Sequence, residues 1–384
     1  MQKHTLMRSK PARKGLSSHM GDVAAFNEEL RRKAKHNRQP PCTVMQFKTI
    51  ELLIPYSPMM ERKRIRAVCE AGPNYIFHTL SLALSHSKTA YVKRYRDSLP
   101  KSDRALVAGL RRLLASGDGG SGDLLFPAVF FPAYLNLDSQ AELDHYFQLL
   151  DKALGPGNAG PLMKYYSGPM KKITLWDERG VTPKYFSGLR KYRRELTEIS
   201  GVYSRNFAAY LRDVWPAERR KIEHAARKIN AHFDRNDTIA AWESLTGRHF
   251  KCGLYQIVLC SAIQNGPNAN SLGYDRNVFY SGGDISKALQ LISHETGTHL
   301  LIDDVMRLIS SGQFQYSAVY AAYECLCKFY NSLILHRMPS YRMTQFNESG
   351  YLPVYKKLYA SFPKPDPAKM LVAAIRELQK TRTK

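Results

Sequence analysis

The sequence predicts a mainly helical α+β fold in which a small β-sheet packs against a pair of helices carrying histidine and glutamate. Three observations predict it. From about Lys184 to Phe233 runs a long basic stretch that reads as helical, its charges interleaved with aromatic residues. Two short runs after Trp242, Gly253–Cys260 and Asn277–Ser281, are rich in β-branched and aromatic residues and are bounded by Gly, Asn and Pro, so both read as strands. The chain then reaches Asp284, a good N-cap, and a helical pattern that runs to about Ile309 and stops at Ser310-Ser311-Gly312.

Length and composition leave room for that fold and exclude others. The chain has 384 residues, 44% of them hydrophobic, which is enough to bury a sizeable core and argues against wholesale disorder. No run of about 18 apolar residues is present and no apolar segment follows the basic N-terminus, so the expectation is a cytoplasmic protein with no membrane span. Six cysteines without a C-x-x-C pair fit a reducing compartment. The 57 Lys and Arg against 33 Asp and Glu give a formal charge of +24, which calls for an acidic partner: nucleic acid, an anionic membrane surface or acidic protein tails.

Three regions follow in order. Residues 1–41 read as a basic N-terminal arm, partly disordered, with a short helix around Val23–Lys35 and a stop at Pro40-Pro41. Residues 42–235 form a helix-rich region: two helices between Phe77 and Ala115 break at Leu99-Pro100, a Gly-rich loop spans Gly117–Asp123, and turn-rich chain lies between Gly155 and Gly168. The basic helical stretch closes this region, its charges interleaved with Tyr185, Tyr192, Tyr203, Phe207 and Tyr210. That is either a set of amphipathic helices with solvated faces or a docking surface for a polyanion. Residues 236–384 hold the strands, the helix after Asp284 and a further helix from about Ala318 to Leu335.

The chemistry concentrates on the helix after Asp284, which carries His294-Glu-Thr-Gly-Thr-His299. This is H-E-x-x-x-H, one residue longer than the H-E-x-x-H of zinc peptidases. Five residues on a regular helix leave two side chains about 140° apart, too far to share an ion. A π-bulge eased by Gly297 would absorb the extra residue. Catalytic zinc takes three protein ligands, and Glu324, an acid in the apolar run Ala321-Ala-Tyr-Glu-Cys-Leu-Cys327, is the candidate third beside His294 and His299. Cys325 and Cys327 are alternative donors. Glu295 fits a general base that takes a proton from zinc-bound water. Asp303 reads either as a group orienting an imidazole or as an exposed helix carboxylate, and His336 as either an oxyanion donor or a structural residue.

The order Tyr255-Gln-Ile-Val-Leu259, Asn268-Ala-Asn-Ser-Leu-Gly273, Asn277-Val-Phe-Tyr280, His294–His299 and Tyr323-Glu-Cys-Leu326 resembles the tyrosine/phenylalanine carboxypeptidase domain family, which includes the microtubule-associated tyrosine carboxypeptidases. That family pairs H-E-[I/V]-x-x-H with Q-E-G-L; here Thr296, Tyr323 and Cys325 depart from the pattern. The resemblance implies a gluzincin-like metallopeptidase core, Zn2+ held by His294, His299 and Glu324, and Glu295 as catalytic base. It also implies removal of a C-terminal Tyr or Phe from a protein or peptide. Dipeptidyl peptidase III shares H-E-x-x-x-H but differs at Thr298 and Lys328. Arg248, Lys251 and Arg276 are candidates for binding the terminal carboxylate, and the strand Val278–Ser281 for pairing with extended substrate. With such a site the basic charge points to acidic C-terminal tails, tubulin-like in a eukaryote. The rival readings are a basic nucleic-acid-binding protein with an accidental motif, and a scaffold without catalysis.

Overall fold

The computed structural model describes residues 62–384 apart from 85–88, 116–119, 156–158, 175–181, 265–268, 342–347, 362–365 and 383–384. The basic arm at 1–41, its expected helix and part of the Gly-rich loop lie outside the described residues. What is described is mostly helical with one small mixed sheet, so the fold class is α+β.

The sheet has the order β1-β2-β4-β3, from β1 (Arg64–Val68), β2 (Leu254–Cys260), β3 (Ala269–Gly273) and β4 (Arg276–Tyr280). β1, β2 and β4 are parallel, and β3 returns antiparallel to β4 through a two-residue turn. The expected strands are β2 and β4. β4 lies between β2 and β3, so both its edges are already paired and it cannot take up an incoming strand; β3 is the marginal strand on that side. At the other margin Asn230 presents its amide to β1, accepting from the Ala67 amide at 2.7 Å and donating to the Ala67 carbonyl at 3.0 Å.

Alternation along the strands sends side chains to two cores, one on each face. Val258, Cys260 and Val278 join a core built by α1 (Ala71–Leu84), α2 (Gln140–Leu154) and α3 (Arg193–Asp213). Tyr255, Ile257, Leu259 and Phe279 join a second core with α4 (Trp215–Arg235) and α5 (Thr238–Thr246). The same core takes in α6 (Ile285–Ser310), α7 (Tyr316–Ile334), α8 (Glu348–Ser361) and α9 (Pro367–Arg382). The expected boundary at 235 groups α4 with the helix-rich region, yet its buried face, Ile222, Ala226, Ile229 and Phe233, lies in the second core.

Local sequence sets the helix limits. Asp284 accepts from the Ser286 amide at 2.8 Å to start α6, Asp237 accepts from Ala240 at 3.1 Å to start α5, and Gly247 ends α5 with φ 65°. The break at Leu99-Pro100 is present, with a new helix opening at Lys101. The turn-rich stretch after Gly155 contains two short helices, Gly160–Tyr165 and Ser167–Thr174.

In the basic stretch the two kinds of residue separate. Tyr203, Phe207 and Tyr210 are core side chains, whereas Arg220, His224, Arg227 and Lys228 of α4 are exposed. The outer face is therefore charged without the aromatic platforms on which unpaired bases stack. No helix among the described residues is long and apolar enough to cross a membrane.

Candidate metal centre

The motif helix α6 is α-helical from Ile285 to Ser310, so the expected π-bulge is absent. The π-helical turn among the described residues is elsewhere, at Phe126–Phe130. Gly297 has a different task. A Cβ built on it would lie 2.2 Å from Cη2 of Trp242, the fully buried tryptophan of α5, whose indole N–H donates to Ser293 Oγ at 3.2 Å. The glycine lets an indole lie flat against the helix, and the helix stays regular.

A regular helix sends the two histidines in different directions. His294, 2% exposed, faces α7, where its Nε2 meets Glu324 Oε2 at 3.0 Å and its ring meets the edge of Tyr341 at 5.3 Å. Its Nδ1 is buried and has no hydrogen-bond partner. Burial disfavours the imidazolium, but the bond to Glu324 and the charges of Glu324 and Glu295 outweigh it, and the His294 pKa rises above its ordinary value.

His299, fully buried, faces the sheet instead. Its Nδ1 lies 2.5 Å from the Tyr274 carbonyl and its Nε2 3.3 Å from Ser271 Oγ, with the rings of Tyr255 and Tyr274 packed against it. A carbonyl only accepts, so Nδ1 carries the proton and Nε2 presents a lone pair. Burial pushes the His299 pKa down to about 4, against the opposing pull of that carbonyl.

Glu295 sits between the two. Its Oε2 accepts from Thr298 Oγ1 at 3.1 Å, and burial, helped by the Glu324 charge and opposed by His294, pushes its pKa up to about 7. Glu324 is 13% exposed at its side chain and is also hydrogen-bonded by Tyr320. The helix pair is clamped on either side of it: Tyr323 donates to the Thr298 carbonyl at 2.5 Å, and Asn331 to the Gln290 carbonyl at 2.8 Å. Lys328, one turn beyond Glu324, is 3% exposed and donates to the Tyr341 carbonyl at 2.8 Å. Its spacing of four residues from Glu324 was the signal in the sequence that a cation shares this face of α7.

His294, Glu295 and Glu324 therefore come together, while His299 lies on the sheet side of the same helix. No group of three or more His, Cys, Asp or Glu among the described residues is placed to hold a metal ion. Two imidazoles and a carboxylate are donor types that zinc takes, and the His294–Glu324 separation of 3.0 Å is close to the roughly 3.3 Å between neighbouring ligands with 2 Å bonds in a tetrahedral shell, but His299 is turned away from that pair. Cys325 and Cys327 are buried among apolar side chains, and burial holds the Cys327 thiol well above its ordinary value, so it is no thiolate donor.

The other candidates are occupied. Arg248 is paired with Asp304 and Asp366, both at 2.7 Å, Lys251 with exposed Asp303 at 2.8 Å, and buried Arg276 with Glu70 and with Gln256 at 2.8 Å. Proximity in sequence to the strands had suggested them, but their partners sit on other elements. Asp303, tied to Lys251, orients no imidazole. His336 is an exposed residue with φ 52° just past the end of α7. Comparison with family models, curated proteins and solved structures gives no match to this chain.

Proposed function

We propose that the chain is a zinc-dependent carboxypeptidase that removes a C-terminal Tyr or Phe from a protein or peptide, of the kind its motif order resembles. The observation that carries this reading is the buried His294–Glu324 pair at 3.0 Å with Glu295 beside it. His294 Nε2 and Glu324 would hold the ion, and His299 Nε2, which faces the sheet from the regular helix, would complete the set only on turning toward them. Zinc bound there supplies an activated water and polarises the scissile carbonyl. Glu295 accepts a proton at its carboxylate and returns it to the leaving amine. Tyr341, packed on His294, limits solvent at that imidazole. An extended substrate has β3, rather than β4, as the strand to pair with, and Ser271 of β3 already touches His299. The formal charge of +24 favours acidic C-terminal tails as partners.

Metal analysis after zinc-supplemented purification should give close to one zinc per chain. Mass spectrometry of peptides ending in Tyr, Phe or other residues should show loss of the aromatic residue alone, and Glu295→Gln should retain zinc and stop that loss. A protein without zinc, or one that trims no peptide, defeats the proposal. The orientation of His299 toward the sheet favours one second reading, a scaffold that keeps the helix pair without the reaction, and the absence of zinc is its signature.

A further inference from the structure

The turn between β3 and β4 is the least ordinary piece of backbone near the motif. Hairpin turns of two residues normally lie on the surface and adopt conformations with positive φ. Here Tyr274 and Asp275 are 0% and 5% exposed, and neither has positive φ. Nothing intrinsic to the pair selects this turn, so its surroundings must hold it.

They do so from every side. Tyr274 packs its ring against Phe250 and under the Lys251 ammonium, 5.0 Å from the ring centroid, and its hydroxyl accepts from the Lys251 amide at 3.2 Å. Asp275 accepts from Tyr134 Oη at 2.9 Å through one carboxylate oxygen and from Lys172 Nζ at 3.0 Å through the other. The Asp275 carbonyl accepts from the Gln256 amide at 2.8 Å. Gly273, just before the turn, lets the Tyr134 ring approach: a Cβ there would lie 2.6 Å from Tyr134 Cε2. The Tyr274 carbonyl is directed at α6, 2.5 Å from His299 Nδ1.

We propose that Tyr134, Lys172 and Asp275 are positioning residues that hold the Tyr274 carbonyl on His299, fixing the imidazole as its Nδ1–H tautomer so that Nε2 is kept as a lone-pair donor. Tyr134 and Lys172 come from the helices Phe131–Leu135 and Ser167–Thr174, which pack on the first core, whereas His299 belongs to α6 and the second. The buried turn thus ties the helix-rich part of the chain to the motif. This inference rests on the zinc reading only where it concerns metal affinity; the tautomer stands independently.

The test uses the full chain with ring-15N-labelled histidine, His299 being assigned by its loss in His299→Gln. Metal-free wild type should show His299 as a single Nδ1–H tautomer. Tyr134→Phe removes one hydroxyl and keeps the ring against Gly273, so it should fold; it should show both tautomers and bind zinc about 10- to 100-fold more weakly. Asp275→Ala should do more, and Asp275→Asn, which keeps an acceptor for Tyr134, should recover most of the wild-type behaviour. An Nε2–H tautomer in wild type, or an unchanged tautomer in Tyr134→Phe, overturns the proposal. If wild type binds no zinc, the metal reading falls and the tautomer alone decides the role of the turn.

Discussion

His294 and His299 stand five residues apart on one regular helix, both buried, and their surroundings push them in opposite directions. His294 meets a carboxylate and is drawn toward its charged form, and its second nitrogen has no hydrogen-bond partner. His299 meets a carbonyl and three aromatic rings and is held neutral. The difference teaches that burial alone does not set the state of an imidazole. The partner decides it, and the phase of the helix chooses the partner.

The comparison depends first on the helix staying regular, and Gly297 guards that. Gly297→Ala should cost about 3 kcal/mol by urea denaturation, because the added methyl meets the buried ring face of Trp242 at 2.2 Å. A loss under 1 kcal/mol would mean that the indole moves aside freely.

Next in size is the pH dependence of stability in chelator-treated protein. The raised His294 pKa gives stability that is present below about 6.5 and lost as pH rises through the folded value. The depressed His299 value works the other way: stability is present above about 6.5 and lost as pH falls toward about 4, and buried His78, pushed down to about 3 by burial, adds to that acid loss. Each group contributes a slope of at most about 1.4 kcal/mol per pH unit. Glu324→Gln should lessen the alkaline loss, of which the buried Glu295 carboxyl, raised to about 7, keeps a share, and should leave the acid one, while His299→Asn should reduce the acid loss alone; equal effects on both limbs would erase the contrast between the histidines.

A smaller effect is expected from Tyr323→Phe, which unclamps α7 from the Thr298 carbonyl and should cost about 1 kcal/mol by the same measurement. Smallest is Lys251→Ala. Its bond to Asp303, whose side chain is 61% exposed, should be worth less than about 0.5 kcal/mol. A larger loss would point to the ammonium over Tyr274 as a support of the buried turn.

The sequence made the motif helix, its N-cap, its partner helix and the strands β2 and β4 legible because each carries a local signal: capping residues, helical period, or a run of β-branched side chains. β1 and β3 were not legible. β1 alternates arginine with apolar residues over only five positions, and β3 reads Ala-Asn-Ser-Leu-Gly, a composition that suits a loop, with Gly273 placed where it must admit Tyr134. At the site, the adjacency of His294 and Glu324 followed from a buried acid needing a partner. The place of His299 did not follow, because Gly297 reads equally well as a site of distortion or of close packing, and only Trp242, far away in sequence, decides between them. Nor did any pattern mark Tyr274, whose backbone carbonyl as well as its ring meets the histidine.

Asn230 closes one margin of the sheet with a single amide that copies the donor and acceptor of a neighbouring strand. Growth of the sheet by addition of another chain is therefore blocked beside β1 at Ala67. Replacing Asn230 with an apolar residue would leave that backbone unsatisfied and turn the edge into a seed for self-association, so the cost of the change would appear as concentration-dependent aggregation before it appeared as lost folding.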